Sequence, residues 1–327
     1  MAFAMTARDR PLLNLGLLGA TVLTTWATFR YVFLDGAELT AHQKLLQSLG
    51  FSLCLMLILG AHEMGHYVLA RRHGVDSSLP YFIPLPLLGV GTLGAVIRLR
   101  GRIPDRNALV DIGAAGPLAG VVVAIPILLL GLHWSQVVPA PLHAQPFPGD
   151  SSLWVLVPEL VKWVGVKVGV LHPALTAGTS LAAEGAPLFG DNLMMLGLER
   201  LTVGALGPGR DVLVHPIVIA GWFGLLVTML NLIPIGQLDG GHLTYALFGD
   251  RARTVGKWMA AGLLFLCIFE TAGWVLWLLI SVKLIGFSHP PVVDDGVPVT
   301  RGRKLICWAC AVVFVLCVTP LPISVSG

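Results

Sequence analysis

Residues 46–72 read LQSLGFSLCLMLILGAHEMGHYVLARR, an apolar run closed by Arg71 and Arg72. A bilayer-crossing helix needs about 20 apolar residues, so this run is long enough to span. Near its end stand His62, Glu63 and His66. Side chains at i and i+4 share a helix face, so both imidazoles can reach one metal ion, zinc being the usual one. Glu63, next to the first histidine, is placed to take a proton from a water between them. Ionisable groups at membrane depth are expensive and mark function.

The rest of the chain agrees with a membrane setting. Of its 327 residues, 55% are hydrophobic and 12% charged, against about 25% charged in soluble domains. The mean hydropathy is +0.81. The net charge of +3 and the lack of a basic cluster exclude a nucleic-acid partner and leave the lipid bilayer as the chain's surroundings. Cys54, Cys267, Cys307, Cys310 and Cys317 all lie in apolar stretches. The Cys307/Cys310 spacing has no second pair, so these read as buried thiols. After Arg8, Asp9 and Arg10 comes an apolar run too long for a signal peptide, expected to be an uncleaved first span.

The expected spans are Leu12–Leu34, Leu46–Ala70, Ala108–Leu132, Pro216–Ile235, one or two within Val255–Gly286, and Leu305–Leu321. The fold class is therefore an all-α polytopic membrane protein, a bundle of six or seven transmembrane helices around a buried zinc site. Between spans two and three, residues 75–106 are too apolar for an ordinary loop. Non-helical backbone at membrane depth must be buried or line a wet cavity, which predicts a membrane-associated β-hairpin there. The connection 133–214 is expected to be extracytoplasmic, with Trp154–Val170 along the membrane surface and a short amphipathic helix in Leu188–Leu201. Arginines and lysines at 71, 72, 98, 100, 102, 106, 251, 253, 257, 301, 303 and 304 fall on one side if Val255–Gly286 is a pair. By the positive-inside rule that side is cytoplasmic. The expected location is a bacterial cytoplasmic (inner) membrane, with the site in its cytoplasmic third.

A hydrolytic zinc site takes three protein ligands and keeps one position open. The third donor has to come from Asp239, Asp111, Glu270, His242 or Asp191. Asp239 stands out because residues 231–241, NLIPIGQLDGG, end span four with helix breakers at Pro234 and Gly236. An unwound segment there lets Asp239 turn inward.

HEMGH together with Asn231-x-x-Pro234-x-x-x-x-Asp239-Gly240 resembles the site-2 protease family of intramembrane zinc metalloproteases. Tyr81–Pro84, Gly91–Ile97, Asp111–Gly120 and His289–Pro291 resemble its branch without a PDZ insertion, and the likeness runs from about residue 50 to 322. The resemblance implies a single transmembrane peptidase domain over 1–327, with its catalytic core near 42–132 and 215–250. It implies one Zn2+ per chain on His62, His66 and Asp239, Glu63 as general base and proton donor, and Asn231 holding substrate or oxyanion. It further implies membrane-anchored protein substrates cut within their transmembrane segments, as in regulated proteolysis or signal-peptide clearance. A helical substrate must first unwind. The strand-like residues Gly94, Ala95, Val96 and Ile97 are expected to bind the opened segment by β-addition.

Two other classes fit the same residues, a metal or solute transporter and a metal-holding scaffold without turnover. Gly89, Gly91 and Gly94 match a dinucleotide fingerprint, but no helix is expected after them. Gly116 and Gly120 read as close helix packing beside span two. His73, His133, His143, His172, His215 and His289 read as interfacial, and His242 as packing or as support for the site.

Overall fold

The computed structural model describes residues 10–35, 37–86, 89–139, 187–190, 192–206, 210–269, 277–279, 286–319 and 323–325. Three helices among them are long and apolar enough to cross a membrane: Pro11–Phe33, Ala41–Arg72 and Arg106–Trp134. The first is α1, Pro11–Thr28, continued by a π-helical turn over Phe29–Phe33. The second is α2, Ala41–Arg72, which begins at a capping box. Thr40 Oγ1 accepts from the Gln43 amide and the Gln43 side chain accepts from the Thr40 amide, satisfying two orphan donors. The third is α3, Arg106–Trp134, capped by Asp105, whose carboxylate accepts from the Ala108 amide. Pro117 and Pro126 lie inside α3, a placement that membrane helices tolerate.

Between α2 and α3, β1 (Tyr81–Pro84) and β2 (Thr92–Val96) pair antiparallel, Tyr81 opposite Val96. A bridge from Ser77 to Leu99 extends the pairing. The pair is fastened to α1. Asn14 Nδ2 donates to the carbonyls of Leu79 and Pro80, and Thr24 Oγ1 donates to that of Gly91. Gly91 has φ +86°, and a Cβ there would lie 2.6 Å from the Thr24 carbonyl oxygen, so only glycine fits.

Beyond α3 come β3 (Gln136–Pro139), β4 (Pro187–Phe189), α4 (Leu193–Thr202) and β5 (Arg210–Leu213). Strand β3 pairs with β5, and β4 with β6 (Ile323–Val325), both antiparallel. Three- and four-residue strands leave no period to read, so these two pairs carry no signal in the sequence. The Trp154–Val170 stretch lies outside the described residues, as do residues 270–276. Helix α5 (Pro216–Leu232) stops before Pro234, and α6 (Asp239–Phe248) starts at Asp239. Then follow α7 (Ala252–Phe269) and α8 (Arg301–Cys317).

Helices α2, α3 and α5 form the centre. Phe29 stacks on Phe51 at 4.1 Å, and Phe51 meets Phe223 edge-on. Leu55, Ile58, Leu128, Leu225 and Met229 complete one apolar cluster. A second cluster, with Leu109, Leu232, Leu243, Tyr245, Cys307 and Cys310, packs α3, α6 and α8 together. The outer surface is also apolar: Leu57 is 59% and Val122 68% exposed. An apolar exterior around a polar-centred core fits lipid rather than water.

Candidate metal centre

The site lies on α2 between the two apolar clusters. His62 and His66 point from one helix face, one turn apart, with both rings buried. Asp239 arrives from the N-terminus of α6. Its approach depends on the break after Leu232, where Gly236 takes φ +52° and turns the chain. His62 Nε2 lies 3.2 Å from Asp239 Oδ2, His66 Nε2 lies 3.3 Å from the same oxygen, and the two imidazole nitrogens are 3.1 Å apart. Tetrahedral zinc with ligand bonds of about 2.0–2.1 Å sets its donors roughly 3.3 Å apart. The triangle has that size, and the three residues form a possible metal site. Asp239 Oδ2 is buried with no hydrogen-bond partner, which is the expected state of an atom that serves as a ligand.

The tautomer of His66 also suits a ligand role. His66 Nδ1 sits 2.7 Å from the Ile112 carbonyl oxygen. A carbonyl only accepts, so Nδ1 carries the proton and Nε2 keeps its lone pair for a metal. The ring lies on α3 where Gly116 leaves no side chain, and the His62 ring lies beside Gly120. A Cβ at Gly65 would collide with the Ala115 carbonyl oxygen, so the small residues set how closely α2 and α3 approach.

Glu63 and Asn231 flank the triangle. The Glu63 carboxylate is buried and faces the Ile97 backbone N–H. Asn231 Nδ2 is 3.4 Å from His62 Nε2, a donor beside the ligand nitrogen. Gly94, Ala95 and Val96 lie in β2 and Ile97 immediately after it, so the strand residues end against Glu63. Of the other candidates for third donor, Asp191 and Glu270 lie outside the described residues. Asp111 is engaged elsewhere: Arg303 Nε and Nη2 donate to its two oxygens at 2.9 and 2.6 Å, and His73 Nε2 is 2.9 Å from Oδ2.

Two histidines depart from the interfacial expectation. His73 belongs to the Asp111 network, and His289 pairs with His242 at 2.6 Å between Nε2 and Nδ1. His289 also stacks on Tyr245 at 4.4 Å. Burial holds the His289 imidazole below its usual range. Its Nδ1 lies 2.6 Å from the Pro290 carbonyl, so Nδ1–H donates there and Nε2 accepts from His242. No sequence signal joins positions this far apart. His215 caps α5 through Ile217 N, while His143 and His172 lie outside the described residues. Gly89 and Gly91 precede β2 and Gly94 lies within it, so a strand and not a helix follows the glycines.

Comparison with known proteins adds a lineage. The sequence profile described as Peptidase family M50 matches residues 50–269. The chloroplastic probable zinc metalloprotease EGY1 of Arabidopsis thaliana is 29% identical over 268 residues, 81% of this chain and 41% of that protein. The chloroplastic probable zinc metalloprotease EGY2 of Oryza sativa subsp. indica is 31% identical over 208 residues, 63% of this chain and 30% of that protein. The chloroplastic probable zinc metallopeptidase EGY3 of Arabidopsis thaliana is 27% identical over 281 residues, 82% and 41% respectively. The chain thus spans less than half the length of these relatives. No solved structure matches it. The relatives overturn the expected bacterial cytoplasmic membrane, since all three are chloroplastic proteins. Charge placement sorts loops between two faces of a bilayer, and it carries no information on which membrane that is.

Proposed function

Because this chain belongs to peptidase family M50, matched over residues 50–269, we propose that it is a zinc endopeptidase that hydrolyses peptide bonds in transmembrane segments of membrane-anchored proteins. We place it in a plastid membrane, following its chloroplastic relatives. The observation that carries the reading is the triangle of His62, His66 and Asp239, its two histidines buried, with the buried Glu63 beside it.

Zinc, when bound there, supplies Lewis acidity toward the scissile carbonyl and the attacking water. Glu63 takes the proton from that water as its oxygen adds to the carbonyl carbon. The same carboxyl then gives the proton to the leaving nitrogen as the C–N bond breaks. Asn231 Nδ2, beside His62 Nε2, donates to the oxygen on which negative charge develops.

Substrate enters as an extended segment. Strand β2 is paired on one side with β1, and it runs toward Glu63. An unwound substrate segment added on its other edge regains backbone hydrogen bonds and lies across the site. In this reading the hairpin sits at membrane depth, and the six or seven spans include α5, α7 and α8 besides the three long helices. The residues of 42–132 and 215–250 form the catalytic core of one peptidase domain.

The test is cleavage of a single-span protein by zinc-loaded protein in lipid vesicles, wild type against Glu63→Gln. Loss of cleavage with zinc retained supports the peptidase. A transporter or a metal-holding scaffold needs no proton acceptor at Glu63, and equal behaviour of the two proteins supports one of those instead.

A further inference from the structure

We propose that Asp111, clamped by Arg303 and His73, is a positioning residue for the metal ligand His66, acting through the neighbouring Ile112 carbonyl. This rests on the assignment of His66 as a ligand.

The contacts come from three helices. Asp111 is on α3, one residue before the carbonyl that receives His66 Nδ1–H at 2.7 Å. Arg303, on α8, holds Asp111 by both oxygens in a two-pronged contact of 2.9 and 2.6 Å. His73, the residue that ends α2, reaches Asp111 Oδ2 at 2.9 Å. Thus the two ends of the clamp are the helix carrying His66 and a helix beyond the residues matched by the family profile.

The need for a clamp follows from what surrounds Ile112. The next residues of α3 are Gly113, Ala114, Ala115 and Gly116, which have little or no side chain to interdigitate with α2. Small residues permit close approach and leave no long side chains to interlock there. The backbone lies about 2.3 Å from that axis, so a 10° rotation (roughly one tenth of the turn per residue) moves the carbonyl by about 0.4 Å. That is enough to stretch a 2.7 Å hydrogen bond to the edge of good geometry. A bidentate arginine contact fixes both distance and plane, so at Asp111 it adds to the packing of Leu109 and Val110 in opposing such a rotation. Residues that orient a metal-bound imidazole through its other nitrogen govern metal affinity, and their loss costs roughly 10–100-fold.

The experiment uses the full chain in detergent. Zn2+ release to a chelator is timed, and the visible spectrum of the Co2+-substituted protein is recorded for wild type, Arg303→Gln, Arg303→Lys and Asp111→Asn. Arg106→Gln is the control, because it breaks another bidentate pair on the same helix, Arg106 with Asp295, away from Ile112. The expected result is release about three- to tenfold faster and an altered Co2+ spectrum in Arg303→Gln and Asp111→Asn, one step removed from the direct effect. Arg303→Lys, which keeps charge and loses the fork, is expected between them and wild type, and it reports on the proposal if the stronger variants do not fold. Arg106→Gln is expected to melt earlier with unchanged release. Wild-type release and spectra in folded Arg303→Gln overturn the proposal, as does equal acceleration by Arg106→Gln. Absence of stoichiometric metal in the wild type, or its persistence in His66→Ala, overturns the ligand assignment instead.

Discussion

The imidazole of His66 lies on Gly116, its Nε2 in the space that a Cβ at position 116 would fill. At Gly120, one turn on, a Cβ would make only ordinary contact with His62, 3.4 Å from Nδ1. The two glycines of one motif therefore have different jobs. Gly116→Ala is expected to push His66 off its position at an overpacking cost of about 1–3 kcal/mol. If that cost falls on the metal-bound state, zinc affinity drops roughly 5- to 150-fold. Gly120→Ala is expected to stay within about twofold of wild type, since contact at that distance needs no shift. Competition with a zinc indicator checks both, and equal affinities for the two variants would contradict the assignment.

Removing zinc should loosen the fold as well as the chemistry. Without a metal, Asp239 Oδ2 is a buried oxygen with no well-formed hydrogen bond, facing only the two imidazole nitrogens. Ligand linkage gives about 2.7 kcal/mol of stabilisation when free zinc exceeds its dissociation constant roughly 100-fold. The melting temperature in detergent should rise with added zinc and fall with chelator. Asp239→Asn should abolish that dependence. Identical melting of wild type in zinc and in chelator would count against a site at Asp239.

Strand β2 offers a separate test of substrate capture. Proline removes the backbone donor, here at the last residue of β2 and at the residue that follows it, where an added segment would pair. Val96→Pro and Ile97→Pro are expected to cut turnover of a membrane-anchored substrate by at least about tenfold, because a lost pairing costs more than about 1.4 kcal/mol when several backbone bonds fail together. Bound zinc should be unchanged. Full turnover in both variants would remove β2 from the substrate path.

Arg106 holds the Asp295 carboxyl below its ordinary range, chiefly by hydrogen bonding to it. A carboxyl whose folded pKa is depressed stabilises the fold above its unfolded pKa of about 3.9, and that contribution disappears as pH falls through the folded value. The Asp295 side chain is 42% exposed, so solvent screening limits the pair to at most about 1 kcal/mol. The stability difference between wild type and Asp295→Asn should be flat from about pH 7 to 5 and shrink below about pH 4. A difference that grows with acidity would have the wrong sign.

Much of the centre is legible in the sequence because its logic is local. The i, i+4 spacing of His62 and His66 follows from helix geometry alone, and Pro234 with Gly236 announces the break that delivers Asp239. The long helices declare themselves by unbroken hydropathy. Strand β2, at Thr92–Val96, begins two residues before the strand-like stretch expected from Gly94, since the turn glycines obscure its start. What surrounds the metal donors is set by tertiary contact. Arg303 and Asp111 are 192 positions apart, and His242 and His289 are 47 apart. No periodicity or spacing links such pairs, so His73 and His289 read as interfacial until the fold brings them inward. The α1 clamp on the hairpin is similar: Asn14 looks like a stray polar residue in an apolar span until its amide is seen to donate to Leu79 and Pro80.

The most direct test of the account is where the bond breaks. Zinc-loaded wild type and Glu63→Gln, matched for zinc content, are incubated in vesicles with single-span proteins, and the fragment ends are read by mass spectrometry. The account predicts wild-type ends inside the apolar membrane segment and none from Glu63→Gln. Ends only in flanking soluble sequence, or the same ends from both proteins, would contradict it.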